Sequence, residues 1–207
     1  DLALPMGFAQ FDPYRKWRAT GDLVLPNQII APPRDSLGDE VFIYISYTID
    51  EPAIWDALCD LPLPRRAFLP VASDAEKQRL RMAGVIVEDG PVPLDLLSSR
   101  SRVMVNLAQS GTVQMAAKLG LPQIGLPMHL EHSFHGRRAG QKGVMELLER
   151  PERSKQNIIN IILRNYHSSA MQLCARDFAA ELAQEGFDAS RSMSAKLAPI
   201  LAHHTAG

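Results

Sequence analysis

The stretch Asn106–His132 reads NLAQSGTVQMAAKLGLPQIGLPMHLEH. An apolar run ends at Leu107, the small polar cluster Ser110-Gly111-Thr112 follows, and a helix-like segment continues to Gly120. A Gly-Leu-Pro turn then leads into a second apolar run, which closes on Pro127 and, shortly after, Glu131-His132. Two strands joined by a helix, with a glycine-containing bend after the first and a carboxylate after the second, place polar groups at the same ends of both strands.

Working outward, runs of strand length recur: VFIYISY (41–47), AFLPVA (67–72), GVIVE (84–88), RVMVNL (102–107) and PQIGLP (122–127). Helix-like pieces alternate with them: EPAIWDALCDL (51–61), SDAEKQRLRMA (73–83) and SGTVQMAAKLG (110–120). Ser73 with Glu76 three residues on reads as a helix start. Apolar strands alternating with helices predict an α/β fold with a doubly wound parallel sheet. After Arg137 the chain reads as helical to its end, with apolar residues from Ile158 to Leu182 at three- and four-residue spacings. Gly186 is the expected stop of that helix, and the closing HHTAG reads as a frayed tail.

Residues 1–39 are proline-rich and aperiodic, with one short strand expected near Leu23–Leu25. They read as a linker or as the trailing edge of a missing N-terminal domain, with residues 40–207 forming the folded unit. Phe8, Phe11, Tyr14 and Trp17 need something to pack against, so self-association of this chain is expected where that partner is absent.

Hydrophobic residues make up 46% of the chain and charged residues 22%, with a formal net charge of -1. That balance gives no overall attraction to nucleic acid or acidic lipid. The absence of an eighteen-residue apolar run leaves no expected membrane span or secretory leader. Cys59 and Cys174 form no CxxC motif, which fits a cytoplasmic protein.

In an open parallel sheet, ligands bind outside the carboxyl ends of the strands. The loops to consider are SYTID (46–50), EDGPVP (88–93), AQSGT (108–112) and MHLEH (128–132). At Ser110-Gly111-Thr112 the first N–H groups of a helix would face a phosphate or diphosphate. The alternative is an ordinary N-cap. Glu131 could accept hydrogen bonds from sugar hydroxyls, or simply be a first-turn carboxylate favoured by the helix dipole. His129, His132 and His135 raise a zinc site, but no HExxH spacing occurs and no metal is expected. GxGxxG, GxxxxGK[ST] and GxSxG motifs are also missing, which removes the usual signals of dinucleotide oxidoreductases, P-loop kinases and α/β-hydrolases.

The segment VMVNLAQSGTVQMAAKLGLPQIGLPMHLEHSFHGRRAGQKGV resembles the donor-binding signature of the GT-B glycosyltransferases that use UDP-sugars. The likeness runs from Glu40 to Gly186 and implies the C-terminal, Rossmann-like half of such an enzyme, with trailing helices. It implies that Ser110, Gly111 and Thr112, with Gln109, Ser46 and Thr48 beside Tyr47, contact a donor diphosphate. Glu131 and His132 would contact the donor sugar, and Pro91 and Val92 the nucleobase. Leu107 stands where the family has a phosphate-contacting His, Ala108-Gln109 replace Gly-Gly, and Pro91 stands where many relatives have a base-stacking Trp. A leucine cannot donate to a phosphate, so the leaving group would lose one partner.

The resemblance implies transfer of a hexosyl group from a nucleoside diphosphate sugar to a hydroxyl of a small-molecule or lipid acceptor, without a cofactor. The catalytic base would lie in the N-terminal half, leaving this chain alone inactive. Two other readings stay open: a degenerate, non-catalytic binding module and a GT-B-shaped nucleotide-sugar epimerase.

Overall fold

The central runs Glu40–Tyr44 and Ser101–Asn106 become parallel strands because they are buried between helices packed on both faces of one sheet, while the edge run Ile86–Glu88 stays partly exposed. The computed structural model describes residues 7–12, 14–17, 37–184, 193–195 and 197–199. The expected strand at Leu23–Leu25 and the helix stop at Gly186 lie outside these residues.

Strands β1 (Glu40–Tyr44), β3 (Ile86–Glu88), β4 (Ser101–Asn106) and β5 (Gln123–Gly125) fall within or beside the expected runs, whereas β2 (Arg65–Phe68) begins two residues earlier than its run and shares only Ala67 and Phe68 with it. Between them lie α1 (Pro52–Asp60), α2 (Asp74–Met82), α3 (Leu94–Arg100) and α4 (Ser110–Lys118). α5 (Leu130–Gln141) leads to a sixth strand, β6 (Met145–Leu147). A 3-10 turn at Arg150–Glu152 precedes α6 (Lys155–His167) and α7 (Ser169–Gln184). The sheet order is β3-β2-β1-β4-β5-β6, and every pairing is parallel. The strand order reverses between β1 and β4, where Val41–Tyr44 pair in register with Val103–Asn106. A crevice at that point is where loops diverge and a ligand can enter.

One face of the sheet presents Val41, Ile43, Val103, Val105 and Ile124 to Ile54 and Leu58 of α1 and Ile158, Ile161 and Ile162 of α6. The other presents Phe42 and Met104 to Leu97 of α3, to Ala116 of α4 and to Leu119, which caps α4. A fully buried Val, Leu or Ile side chain contributes about 1.5–3 kcal/mol, so these two layers hold the strand ends, and therefore the loops, in place. α4 stops at Gly120, whose φ of +66° suits glycine; its N–H reaches the Ala117 carbonyl at 3.1 Å while Leu121 N–H reaches that of Ala116 at 2.9 Å.

Three expectations change. Met145–Leu147 is a strand, although the region after Arg137 reads as helical throughout. Met-Glu-Leu has no strand signature, and only pairing of Gln123–Gly125 with Met145–Leu147 makes it one. The long C-terminal helix is two helices, broken at Ser168, whose ψ of 100° is extended. The four aromatics also divide. Phe8 and Phe11 are buried within this chain, Phe11 edge-on to Phe178 with ring centroids 5.6 Å apart. The Phe8 N–H donates to Gln114 Oε1 at 2.9 Å. Tyr14 and Trp17 stay 58% and 78% exposed. Phe8 and Phe11 are therefore fastened to α4 and α7, because Val113, Ala117 and Phe178 offer them an apolar seat.

Candidate functional site at the strand-order reversal

The loops leaving β1, β4 and β5 converge where the strand order reverses. The turn from β4 into α4 is built by a buried amide network. Asn106 Nδ2 donates to Gln123 Oε1 at 3.0 Å, and Gln123 Nε2 donates to the Val113 carbonyl at 3.1 Å. Asn106 Oδ1 accepts the Ala108 N–H at 2.7 Å. These bonds hold Ala108 at φ +60°, a left-handed conformation that an alanine adopts at some cost. Buried and fully bonded, the two amides fix one geometry for the turn.

The first residue of α4 is Ser110, and its N-cap is Gln109. Neither provides a side-chain cap. Gln109 is turned across the reversal, where its Oε1 accepts from Ser46 Oγ in the loop after β1. Ser110 Oγ accepts from Gln114 Nε2 at 2.9 Å. The first intrahelical bond of this helix runs from Val113 N–H to the Gln109 carbonyl. The reading of Ser110 or Thr112 as a routine N-cap is thus overturned. The N-terminal dipole end of α4 opens at the reversal beside Gly111, where a Cβ would meet nothing within 4 Å. Thr112 is buried, so its hydroxyl sits deeper than that of Ser110.

Leu107 packs into the main core and does not face the crevice. On the β5 side, α5 also starts without a side-chain cap, at His129. The His129 and His132 rings lie 3.7 Å apart, and Tyr47 from the β1 loop stands edge-on to both, at 6.2 and 5.7 Å. Tyr47 therefore reaches past the intervening β4 to join the two outer loops. His132 is buried, with Nδ1 accepting from Met128 N–H at 3.4 Å. Burial, reinforced by neighbouring His129, pushes its pKa down to about 4, so the ring is neutral near pH 7. Glu131 projects outward with a 71% exposed side chain, and His135 Nε2 lies 3.6 Å from Oε1 of that carboxylate. Burial also lowers the His135 pKa.

The structure thus brings Ser46, Gln109 and Ser110 together, and Tyr47 with His129 and His132. Thr48 and Glu131 are exposed on the same side of the sheet. Pro91 is exposed at the end of β3, whereas Val92 packs against the layer containing Phe42, Leu97 and Met104. Among the described residues, no three His, Cys, Asp or Glu side chains are grouped to hold a metal. No described helix is long and apolar enough to cross a membrane. Sequence reasoning missed Asn106, Gln123 and Arg153. Asn106 and Gln123 had a usable signal, since each places an amide inside an apolar strand run, where a buried polar group must have a structural task.

No protein-family model matches the chain, and no curated protein matches it in sequence. Solved structures do. The calicheamicin glycosyltransferase CalG4 superposes with a TM-score of 0.68 at 16% identity, over 93% of this chain and 51% of that one. The glycotransferase of kitacinnamycin gives 0.67 at 13%, over 91% and 52%. LpCGTa, solved in complex with UDP, gives 0.60 at 14%, over 85% and 46%. The chain spans about half the length of each. With its strand-order reversal and all-parallel six-stranded sheet, it has the fold of the C-terminal, Rossmann-like half of a GT-B glycosyltransferase.

Proposed function

We propose that this chain is the donor-binding half of a glycosyltransferase that moves a hexosyl group from a nucleoside diphosphate sugar to an acceptor hydroxyl. The observation that carries this reading is the uncapped start of α4 at the strand-order reversal, with Gln109 bridged to Ser46. A diphosphate there would accept from the N–H groups of Ser110, Gly111 and Thr112 and gain from the helix dipole. Pro91 lies three strands from β4, roughly 14 Å at the usual strand spacing, and would carry the nucleobase with its neighbour Val92. The sugar would then extend the other way, toward Glu131 and the His132 edge of the crevice, with Thr48 lining the diphosphate side.

In the reaction, an acceptor oxygen bonds to the anomeric carbon as the bond from that carbon to the diphosphate breaks. Charge grows on the leaving diphosphate, and donors fixed in advance stabilise it. Leu107 cannot serve, but Gln109 can: with Oε1 engaged by Ser46, its amide N–H groups are left to donate toward the helix start. No residue of this chain is assigned as the base that takes the acceptor proton, and the base belongs to an N-terminal half facing this crevice. The acceptor is a small molecule or lipid, and the enzyme works in the cytoplasm without a further cofactor. The buried Leu107 favours one rival, a non-catalytic module that retains the fold.

Calorimetric titration with UDP, dTDP, GDP and UDP-glucose tests this reading. Saturable binding of one nucleotide, weakened by Ser110→Ala and by Thr112→Val, is expected. Absence of binding by all four to the folded chain would overturn the donor reading and favour the non-catalytic module.

A further inference from the structure

Arg153 follows the 3-10 turn after β6, and its side chain is only 1% exposed. Every nitrogen of its guanidinium has a protein partner. Nε donates to the Leu148 carbonyl at 3.0 Å, and Nη2 donates to the Pro127 carbonyl. Nη1 lies 3.1 and 3.2 Å from the two Glu51 carboxylate oxygens and 3.7 Å from Met128 Sδ. Glu51 ends the loop after β1 as the N-cap of α1, yet its side chain does not cap that helix. It is turned instead to Arg153 and, at 2.9 Å, to Arg150. Pro127 and Met128 begin the loop after β5. The neighbouring Glu149 accepts from Ser133 Oγ and from Arg137, both at 3.0 Å, on α5. The short segment 148–153 thus grips the two outer walls of the crevice at once: the loop bearing Ser46 and Tyr47, and the turn into α5 that carries His129, Glu131 and His132.

We propose that Arg153, through Glu51 and the Pro127 carbonyl, is a positioning residue that sets the spacing between the two outer loops of the donor crevice. A charge buried for stability alone is a poor device, since a well-packed apolar pair commonly does as well. Arginine is the residue this task requires. Its rigid planar fork can hold a carboxylate and two carbonyls from three segments simultaneously, whereas a lysine ammonium offers a point charge. The Tyr47 edge contacts with His129 and His132 depend on that spacing, because they join the same two loops above the clamp.

The consequence for binding rests on the donor-site reading, so the test has one readout that needs no nucleotide. Arg153→Lys, Arg153→Met and Glu51→Gln are compared in the 207-residue chain. The histidine ring resonances of His129 and His132 are followed by NMR, and UDP binding by calorimetry. Arg153→Lys keeps the charge opposite Glu51, so it is expected to stay folded with a small loss in Tm. Its His129 and His132 resonances should nevertheless shift, as the Tyr47 ring moves relative to them, and UDP affinity should fall by about tenfold or more, since small misplacements are costly in a preorganised site. Glu51→Gln should shift the same resonances. Arg153→Met is expected to lose the most Tm, and should it fail to fold, Arg153→Lys and Glu51→Gln decide the matter. Unchanged histidine resonances in folded Arg153→Lys and Glu51→Gln would overturn the clamp. If the unsubstituted chain binds no UDP, the donor reading loses its support, while the histidine resonances still decide whether Arg153 spaces the loops.

Discussion

α2 and α4 are both nine residues long, and both leave the carboxyl end of a strand in the same sheet. Both begin with a serine near the start, yet they finish their first turns in opposite ways. At α2, Ser73 Oγ accepts the Glu76 N–H at 3.2 Å, and the Glu76 carboxylate accepts the Ser73 N–H at 2.7 Å. That reciprocal box satisfies the helix start from within. At α4 the N-cap side chain is committed sideways to Ser46, and Ser110 Oγ is taken by Gln114. The closed helix follows β2, one strand away from the reversal, and the open one follows β4 at the reversal itself. A helix start left uncapped gives up about 1 kcal/mol. α1 and α3 also start without a side-chain cap, so what sets α4 apart is its place at the reversal together with the sideways bond from Gln109 to Ser46.

α5 extends the contrast, since it too starts uncapped, and His132 sits in its first turn. A proton on His132 would place a positive charge at the positive end of the helix dipole, inside a buried site. The folded pKa of about 4 lies below the ordinary 6.5, so the unfolded chain binds more protons between these values. The stability contributed by neutral His132 is therefore fully present above about pH 6.5 and is lost as pH falls through 4. The linked loss is about 3 kcal/mol, the largest effect expected here. Urea unfolding at pH 7.5, 6, 5 and 4 should show it, and His132→Gln should flatten the curve over that range. An unchanged slope in the variant would mean that His132 is not held neutral by burial.

Exchanging the two helix starts comes next in size. Gln109→Asp puts a capping carboxylate at α4, so the protein should gain about 1 kcal/mol in stability. The same carboxylate occupies the place proposed for the diphosphate, so nucleotide affinity should drop by about tenfold, or roughly 1.4 kcal/mol. Ser73→Ala should do the reverse, losing about 1 kcal/mol of stability with nucleotide affinity unchanged. Tm and calorimetric titration on both variants give two pairs of signs. If Gln109→Asp fails to stabilise, the contrast between an open and a closed helix breaks.

Much of this was legible in the residues, for physical reasons that differ from place to place. The central strands β1 and β4 are dense in Val, Ile, Phe and Met because they are buried on both faces, and the Ser73–Glu76 pair spells its own cap. The opposite handling of α4 was not legible, because Ser-Gly-Thr has the composition of a capped start, yet the helix begins so that Gln109, bonded to Ser46, takes the N-cap position and Ser110 lies inside the helix. β6 escaped because Met145-Glu146-Leu147 becomes a strand only beside β5. Phe8 and Phe11 looked like an unpartnered surface, since their seat on α4 and α7 is assembled from residues more than a hundred positions away. Arg153 carried no local signal at all: its acceptors come from Glu51, Pro127 and Leu148, and only folding brings them to one guanidinium.

The smallest effect expected is at Ala108, and it asks what holds the α4 start in shape if capping does not. Ala108 sits at φ +60°, where replacing the residue by glycine relieves about 1 kcal/mol of backbone strain. The same replacement removes a fully buried methyl group, worth about 0.8 kcal/mol, and loosens the unfolded chain. Ala108→Gly should therefore lie within about 1 kcal/mol of the original in urea unfolding. Nucleotide affinity should hold, because the Asn106 Oδ1 anchor on the residue 108 N–H is kept. Asn106→Leu is the companion variant. It strands the Gln123 amide and frees the turn, so it should destabilise by about 1–3 kcal/mol and weaken the nucleotide as well. Equal behaviour of the two variants would mean that the backbone conformation at 108, and not the buried amide pair, shapes the opening of α4.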